Sequence, residues 1–192
     1  MRLMWQREEL TAVAARLIAL SGAKPKRTIL FIAFAGEEFG LLGAKAYART
    51  HQNELGKIAN LFNRDGGPTP PIGISVPQAM YDDFVEICKP VKNINPDFPF
   101  EVKVAKPRKR PTSTGGTDAS VFAVEGVPTY GFTTDDIKGY NFSYGEIWHT
   151  ERDLYTKNIP EYQEHTAVVT AIVALGVANL DKQLSREGMY KE

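Results

Sequence analysis

The hydrophobic and polar positions of this chain alternate between helical and strand-like patterns. Apolar residues recur at helical spacing over 8–20, which predicts an amphipathic helix. A continuous apolar and β-branched run, 28–34, follows a short charged link and is typical of a parallel-sheet strand covered on both faces. Helical spacing returns over 39–50, and 58–62 predicts a second strand.

The second half of the chain continues the same alternation. We predict a helix over 78–92, a strand over 100–104, a short buried strand over 127–132 and a long closing helix over 162–184. Helices that alternate with strands are typical of an α/β domain with a parallel sheet. The length of 192 residues predicts one domain over 1–192.

The composition excludes several classes of partner. The 23 basic and 23 acidic residues cancel, so no overall charge favours nucleic acid or an anionic membrane surface. The basic, proline-rich segment 103–110 resembles a nucleic-acid patch, but we interpret it as a solvated loop. No apolar stretch is long enough to span a bilayer. The single cysteine, Cys88, excludes an internal disulfide and is predicted to be a small buried side chain.

Acidic residues follow both predicted strands of the first half. Glu37 and Glu38 come directly after the first strand, and Asp65 follows the second. The carboxyl ends of strands in an open α/β sheet meet at the edge where ligands bind. Adjacent carboxylates are also ordinary at an exposed helix N-terminus, and an Asp-Gly pair is ordinary in a turn. Neither motif alone assigns a function.

Two motifs in the second half add further polar groups. The glycine-rich turn 115–120 precedes a predicted helix, and its amides suit a substrate oxyanion or carboxylate. The same turn also fits a simple helix cap by Thr117 or Asp118. His149 lies in a predicted loop, where Asp153 is near enough in sequence to orient the imidazole of a metal ligand. A lone loop histidine is otherwise an ordinary surface residue.

Together, in this order and at these intervals, the motifs resemble the aminopeptidase-Y family of zinc exopeptidases, which includes bacterial leucyl aminopeptidases, carboxypeptidase Q and the fold-related glutaminyl cyclases. The similarity runs from about Glu8 to Leu184. It implies a three-layer α/β sandwich, with a mostly parallel mixed sheet flanked by helices, of the zinc exopeptidase and phosphorylase/hydrolase-like type. It also implies a metallopeptidase that removes residues from the ends of a peptide.

The resemblance implies a role for each motif residue. Glu37 matches the general base, which takes a proton from the metal-bound water and passes it to the leaving amine. Glu38 and His149 match ligands of one zinc ion, and Asp65 matches a ligand of the other. The remaining matches are to substrate-binding or ligand-orienting positions: Gly116, Thr117, Asp118 and Asp153. The peptidase interpretation requires the three acidic residues and the histidine to meet at one rim of the sheet.

The family pattern also contains ligands that this chain lacks. A His-x-Asp pair on an early strand and an aspartate that bridges the metals are both absent, and no histidine precedes Glu37. We expect neither His51 nor His165 to substitute, because both fall in or at the end of predicted helices. The resemblance therefore predicts partial or absent occupancy of a two-zinc site. It also predicts a sheet without its first strands, whose exposed edge favours self-association.

Three hypotheses on function follow from these observations. The first is a zinc-dependent exopeptidase of the aminopeptidase type, impaired in this chain, with a secreted or periplasmic location for the complete protein. The second is a glutaminyl cyclase-like enzyme, whose single zinc needs fewer ligands, although only Trp148 matches its tryptophan-lined loops. The third is a non-catalytic remnant or binding module of the same fold, which the missing ligands favour. Residue specificity, and the choice between aminopeptidase, carboxypeptidase and dipeptidase, stay open.

Overall fold

The structure, a computed structural model, describes residues 3–191. The helices and strands, in chain order, are α1 (Leu3–Leu20), α2 (Leu42–Thr50), β1 (Pro71–Val76), α3 (Gln78–Cys88), β2 (Glu101–Val104), α4 (Asp118–Val124), β3 (Phe132–Thr134), α5 (Tyr144–Ile147) and α6 (Pro160–Asn179). Short 3-10 helices occupy Gln52–Lys57, Lys89–Asn93 and Tyr155–Lys157. No helix in the described part of the chain is long and apolar enough to cross a membrane.

The sheet of this fold is mixed. β1 lies at its centre, pairs in parallel with β2 and pairs antiparallel with β3. The close approach of β2 requires a glycine in β1, because a β-carbon on Gly73 would lie 2.4 Å from the carbonyl oxygen of Glu101. Helices α3 and α6 pack on this sheet through one apolar core. The predicted α/β class, a mixed sheet flanked by helices, is confirmed.

Two further apolar clusters connect the remaining helices to the core. α2 packs on α4 through residues such as Ala44 and Phe122, and Phe34 and Leu61 lie against this cluster. α1 packs on α6 through Ala14, Ile18 and Ala171. Cys88 belongs to the main core and is 1% exposed. Burial raises the pKa of its thiol to about 12, which confirms the prediction of a small buried side chain.

The run 28–34 differs from its prediction as a strand covered on both faces. Its backbone makes no hydrogen bond to any described residue, 3–191. Leu30 is 64% exposed, and more than a third of Phe31 and of Ile32 is exposed. The prediction is therefore wrong for this part of the chain. The physical reason is that a β-branched run forms a strand only beside a neighbour that satisfies its backbone groups.

The sequence predicts a strand over 58–62, but this segment forms none in the structure. The Asn60 side chain and one backbone hydrogen bond hold it in place instead. The amide of Asn60 accepts a hydrogen bond from the Tyr130 N–H and donates one to the Tyr130 carbonyl, both at 3.0 Å. The Leu61 N–H donates to the Pro128 carbonyl at 2.8 Å. These bonds fix the chain just before Asp65, and the strand predicted over 127–132 begins only at Phe132.

Three other boundaries differ from the sequence prediction. The helix predicted over 78–92 becomes a 3-10 helix at Lys89, because Pro90 has no N–H for an α-helical bond. The closing helix begins at Pro160 and ends at Asn179.

Segment 103–110 is exposed, as predicted. Its residue Arg108 nevertheless exchanges backbone hydrogen bonds with Met189 and Lys191, and these bonds anchor the segment to the C-terminal part of the chain.

Candidate metal centre

Glu37 and Glu38 lie in a tight loop that closes on the start of α2. The Leu42 N–H donates to the Gly36 carbonyl at 3.1 Å, and the Gly43 N–H donates to the Ala35 carbonyl at 2.8 Å. The Glu37 carbonyl accepts the N–H groups of residues 40 and 41 at 2.9 and 2.8 Å. The loop thus uses its own backbone groups to hold the two half-buried glutamates between 28–34 and α2.

His149, in the second half of the chain, contacts this loop. Its Nε2 atom lies 3.1 Å from the Oε2 atom of Glu38, and their side chains are 57% and 45% exposed. The φ angle of His149 is +56°, a left-handed conformation that costs a non-glycine residue about 1–3 kcal/mol. The Trp148 ring packs beside the imidazole, with 4.8 Å between ring centroids. The structure therefore brings Glu38 and His149 together, as the sequence predicts.

Asp65 is contacted by the same loop that carries His149. The Tyr144 hydroxyl donates to the Asp65 backbone carbonyl at 3.3 Å. Two positions further on, Gly67 lies so close to Phe142 that a β-carbon would be 2.7 Å from two of its ring atoms. Sequence reasoning missed both aromatic residues, although they stand at alternate positions just before the candidate histidine. Loop 142–149 thus connects the Asp65 turn to the Glu38 loop.

The glycine-rich turn directly precedes α4, the helix that its sequence predicts. Gly116 has a φ of +79°, and the Gly115 N–H donates to the Ser120 hydroxyl at 2.9 Å. Thr117 precedes α4 but makes no side-chain capping bond, and Asp118 is buried in the first turn. The turn borders an open groove of about 410 Å³. Hydroxyl groups and one guanidinium line part of this groove: Arg108, Ser113, Thr114, Thr117, Ser120 and Thr129.

Among the described residues, Asp153, His51 and His165 make no side-chain hydrogen bond or ion pair with Glu38 or His149. The Asp153 N–H donates to the Thr150 carbonyl at 3.3 Å. In the described structure the Asp153 carboxylate makes no hydrogen bond or ion pair with His149. Its orienting role stays a prediction. His51 stacks on Tyr47 at 4.1 Å, and buried His165 stacks on Phe98 at the same distance. Neither histidine joins the candidate site.

The donor chemistry of the site fits zinc, but the number of donors does not complete a zinc site. Carboxylate oxygen and imidazole nitrogen are both ordinary zinc ligands, and Glu38 and His149 place one of each within 3.1 Å. Among the residues that the structure describes, however, no three His, Cys, Asp or Glu side chains come together to hold an ion. Zinc sites have three or four protein ligands, so the described residues fall short of that number.

Comparison with known proteins points to one family. The chain matches the sequence profile of peptidase family M28 over residues 10–173. It is 28% identical to carboxypeptidase Q of Mus musculus over 173 residues, which is 90% of this chain and 34% of that protein. A shorter stretch of 64 residues, 32% of this chain, is 47% identical to 13% of a protein of Phaeosphaeria nodorum called "Probable zinc metalloprotease".

The solved structures agree with this result. The structure of a peptidase M28 precursor from Shewanella amazonensis superposes with a TM-score of 0.73 and 27% identity, over 94% of this chain and 38% of that chain. The similarity to that structure supports the α/β fold described above. The chain spans about a third of the length of the curated carboxypeptidase Q relatives that it matches.

Proposed function

This chain belongs to peptidase family M28, and on that premise we propose that it supplies the general base and part of the metal site of a zinc-dependent exopeptidase of the aminopeptidase type. By family the chain is a metallopeptidase. The observation that carries the proposal is the 3.1 Å contact between Glu38 and His149. Two residues of the types that zinc prefers meet at the loop that also holds Glu37.

Each residue of the site has a proposed task. Glu38 and His149 hold one zinc ion, and Asp65 contributes to a second. A bound zinc ion supplies Lewis acidity, which polarises the scissile carbonyl and makes water a better nucleophile. Glu37 takes a proton from the attacking water as its oxygen bonds to the carbonyl carbon. It then gives this proton to the amine nitrogen as the carbon–nitrogen bond breaks.

The turn before α4 is the proposed binding place of the peptide substrate. The turn with Gly116, Thr117 and Asp118 lies at the start of α4, beside an open groove lined by hydroxyl groups. Backbone amides and hydroxyls are suited to bind the polar backbone of an extended peptide. We propose that this turn binds the substrate and that Asp153 orients the His149 imidazole.

A second candidate function, a non-catalytic binding module of the same fold, is favoured by the ligand count. The described part of the chain holds no group of three metal-binding side chains, and a two-metal site without its bridging ligand loses most of its affinity. In this alternative, the Glu38–His149 contact only connects two loops.

A paired assay of metal content and peptide cleavage tests the proposal. The chain is dialysed against zinc, its bound metal is measured, and a peptide panel is followed by mass spectrometry for loss of single residues from either end. Cleavage that Glu37→Gln abolishes, with zinc still bound, supports the peptidase. If zinc is bound and Glu37→Gln cleaves as fast as the wild type, Glu37 is not the base. No bound zinc and no cleavage of any peptide, even in a large excess of zinc, supports the binding module.

A longer polypeptide provides a further control, if the gene encodes residues upstream of Met1. Should these contain the His-x-Asp pair of the family, the longer protein is expected to bind zinc more tightly and to cleave peptides faster. A protein with this pair that binds no zinc would contradict the proposal.

A further inference from the structure

The loop that carries His149 is fastened to the start of α6 by one carboxylate. Asp136 accepts a hydrogen bond from the Tyr162 hydroxyl at 2.7 Å. It also accepts the backbone N–H groups of Tyr140 and Phe142, both at 3.1 Å. The Tyr162 hydroxyl in turn accepts the Lys138 N–H at 2.8 Å. We call this set of bonds the Asp136–Tyr162 clasp.

The Tyr162 ring of the clasp is buried and packs against two other aromatic rings. Tyr162 is 0% exposed, and the rings of Phe98 and Tyr140 pack on it at 6.0 and 5.3 Å between centroids. Burial and the bond to Asp136 raise the pKa of Tyr162 to about 12, so the hydroxyl remains a donor. Burial acts to raise the pKa of Asp136, but its hydrogen bonds outweigh burial and lower it.

A second, exposed set of contacts surrounds the clasp. Lys138 pairs with Glu161 and lies 3.6 Å from Asp97, and the Tyr140 hydroxyl donates to Glu161 at 3.1 Å. Exposed ion pairs of this kind contribute little to stability. The fully buried Tyr162 and its bond to Asp136 are therefore the stronger attachment of this loop.

The clasped loop continues directly into the candidate site. Phe142, whose N–H is held by Asp136, places its ring against Gly67. Tyr144 follows and donates to the Asp65 carbonyl, and α5 is then anchored by the buried Ile147. The chain turns at Trp148 into the left-handed conformation of His149, which contacts Glu38.

We propose that Asp136 and Tyr162 are positioning residues of this site. The clasp fixes loop 136–149 against α6. In this position Tyr144 contacts the Asp65 turn and His149 contacts Glu38. Neither clasp residue makes a hydrogen bond or ion pair with Glu38 or His149 in the described structure, so each would act through the path of the loop. The purpose of the clasp rests on the proposed function, whereas its effect on the loop does not.

The test compares Tyr162→Phe and Asp136→Asn with the control Asp97→Asn, which removes only an exposed partner of Lys138. Limited proteolysis of the metal-free protein by chymotrypsin reports the loop, because Tyr140, Trp148 and Tyr155 are all exposed there. NMR signals of the His149 imidazole report the contact with Glu38. Both clasp variants are expected to be cleaved several-fold faster within 140–155 and to shift the His149 signals, unlike the control.

Zinc binding provides the second arm of the test. Loss of a residue that orients a metal ligand weakens metal affinity by about 10–100-fold, and we expect the clasp variants to show this loss. Should Tyr162→Phe fail to fold, Asp136→Asn and the control still decide the question. A lower Tm with unchanged cleavage of 140–155 and unchanged His149 signals would overturn the proposal. If the wild type binds no zinc and cleaves no peptide, the proposed function fails, but proteolysis and NMR still test the clasp.

Discussion

A β-carbon on Gly43 would lie 2.7 Å from both the backbone nitrogen and the carbonyl oxygen of Ala35. The two residues approach this closely because the Gly43 N–H donates to the Ala35 carbonyl at 2.8 Å, which closes the loop that contains Glu37 and Glu38. Real β-carbons do not occur at such a distance from backbone atoms. The shape of the glutamate loop therefore depends on the absence of a side chain in the first turn of α2.

Gly43→Ala is expected to destabilise the protein by about 1–3 kcal/mol, because the new methyl group forces the loop open. Alanine in a helix normally stabilises by up to about 1 kcal/mol relative to glycine, so the clash reverses the usual sign. Urea unfolding measures the difference. Gly56→Ala is the matched control, since no atom lies within 4 Å of its new β-carbon. Equal effects of the two substitutions would show that the close approach has no energetic role.

The buried His165 predicts that the protein loses stability in mild acid. Burial lowers the pKa of this imidazole, and Glu161 opposes the shift only in part. The folded state thus keeps His165 neutral, whereas the unfolded chain takes up a proton near its usual pKa of about 6.5. Protons bind preferentially to the unfolded state there, so the free energy of unfolding falls as pH falls below that value.

Unfolding experiments between pH 8 and pH 5 check this dependence. His165→Gln should flatten the decline, because its side chain does not titrate. His51→Gln, at a partly exposed position, should keep the wild-type dependence. A wild-type slope retained in His165→Gln would assign the acid sensitivity to other groups.

The exposed run 28–34 predicts self-association of this chain. Leu30 is 64% exposed in a segment without backbone partners in the described structure, and unpaired apolar edges favour pairing with another chain. Sedimentation velocity at increasing concentration should show larger species, and Leu30→Lys should reduce them. Leu154→Lys places the same charge at another exposed leucine and should not. If Leu30→Lys associates as the wild type does, the association uses another surface.

Strand pairing limited how much of the sheet could be predicted. The central strand β1 escaped prediction because Pro71 and Gly73 disfavour strands in isolation, yet β2 and β3 pair with it on both sides. The run 28–34 has the stronger strand pattern and finds no partner among residues 3–191. β-propensity describes how well a residue fits a sheet, and only the surrounding fold decides whether the sheet is there.

The candidate site, like the sheet, could be predicted from the sequence only in part. The resemblance to zinc exopeptidases implies that Glu38 and His149 share one metal ion, and the structure brings their side chains within 3.1 Å although the run before Glu38 forms no strand. The Asp136–Tyr162 clasp has no such signal, since a tyrosine in a helix and an aspartate in a loop are ordinary in any sequence. Their contact depends on the three-dimensional path of loop 136–149, which local sequence patterns do not encode.

Histidine NMR during a zinc titration tests most directly whether Glu38 and His149 share one metal site. The chain has three histidines, so labelling of histidine alone gives three imidazole groups to assign. Added zinc is expected to move the signals of His149 while those of His51 and His165 stay in place, and Glu38→Gln is expected to weaken the response at every zinc concentration. A His149 imidazole that ignores zinc, or that responds equally in Glu38→Gln, would contradict a shared site.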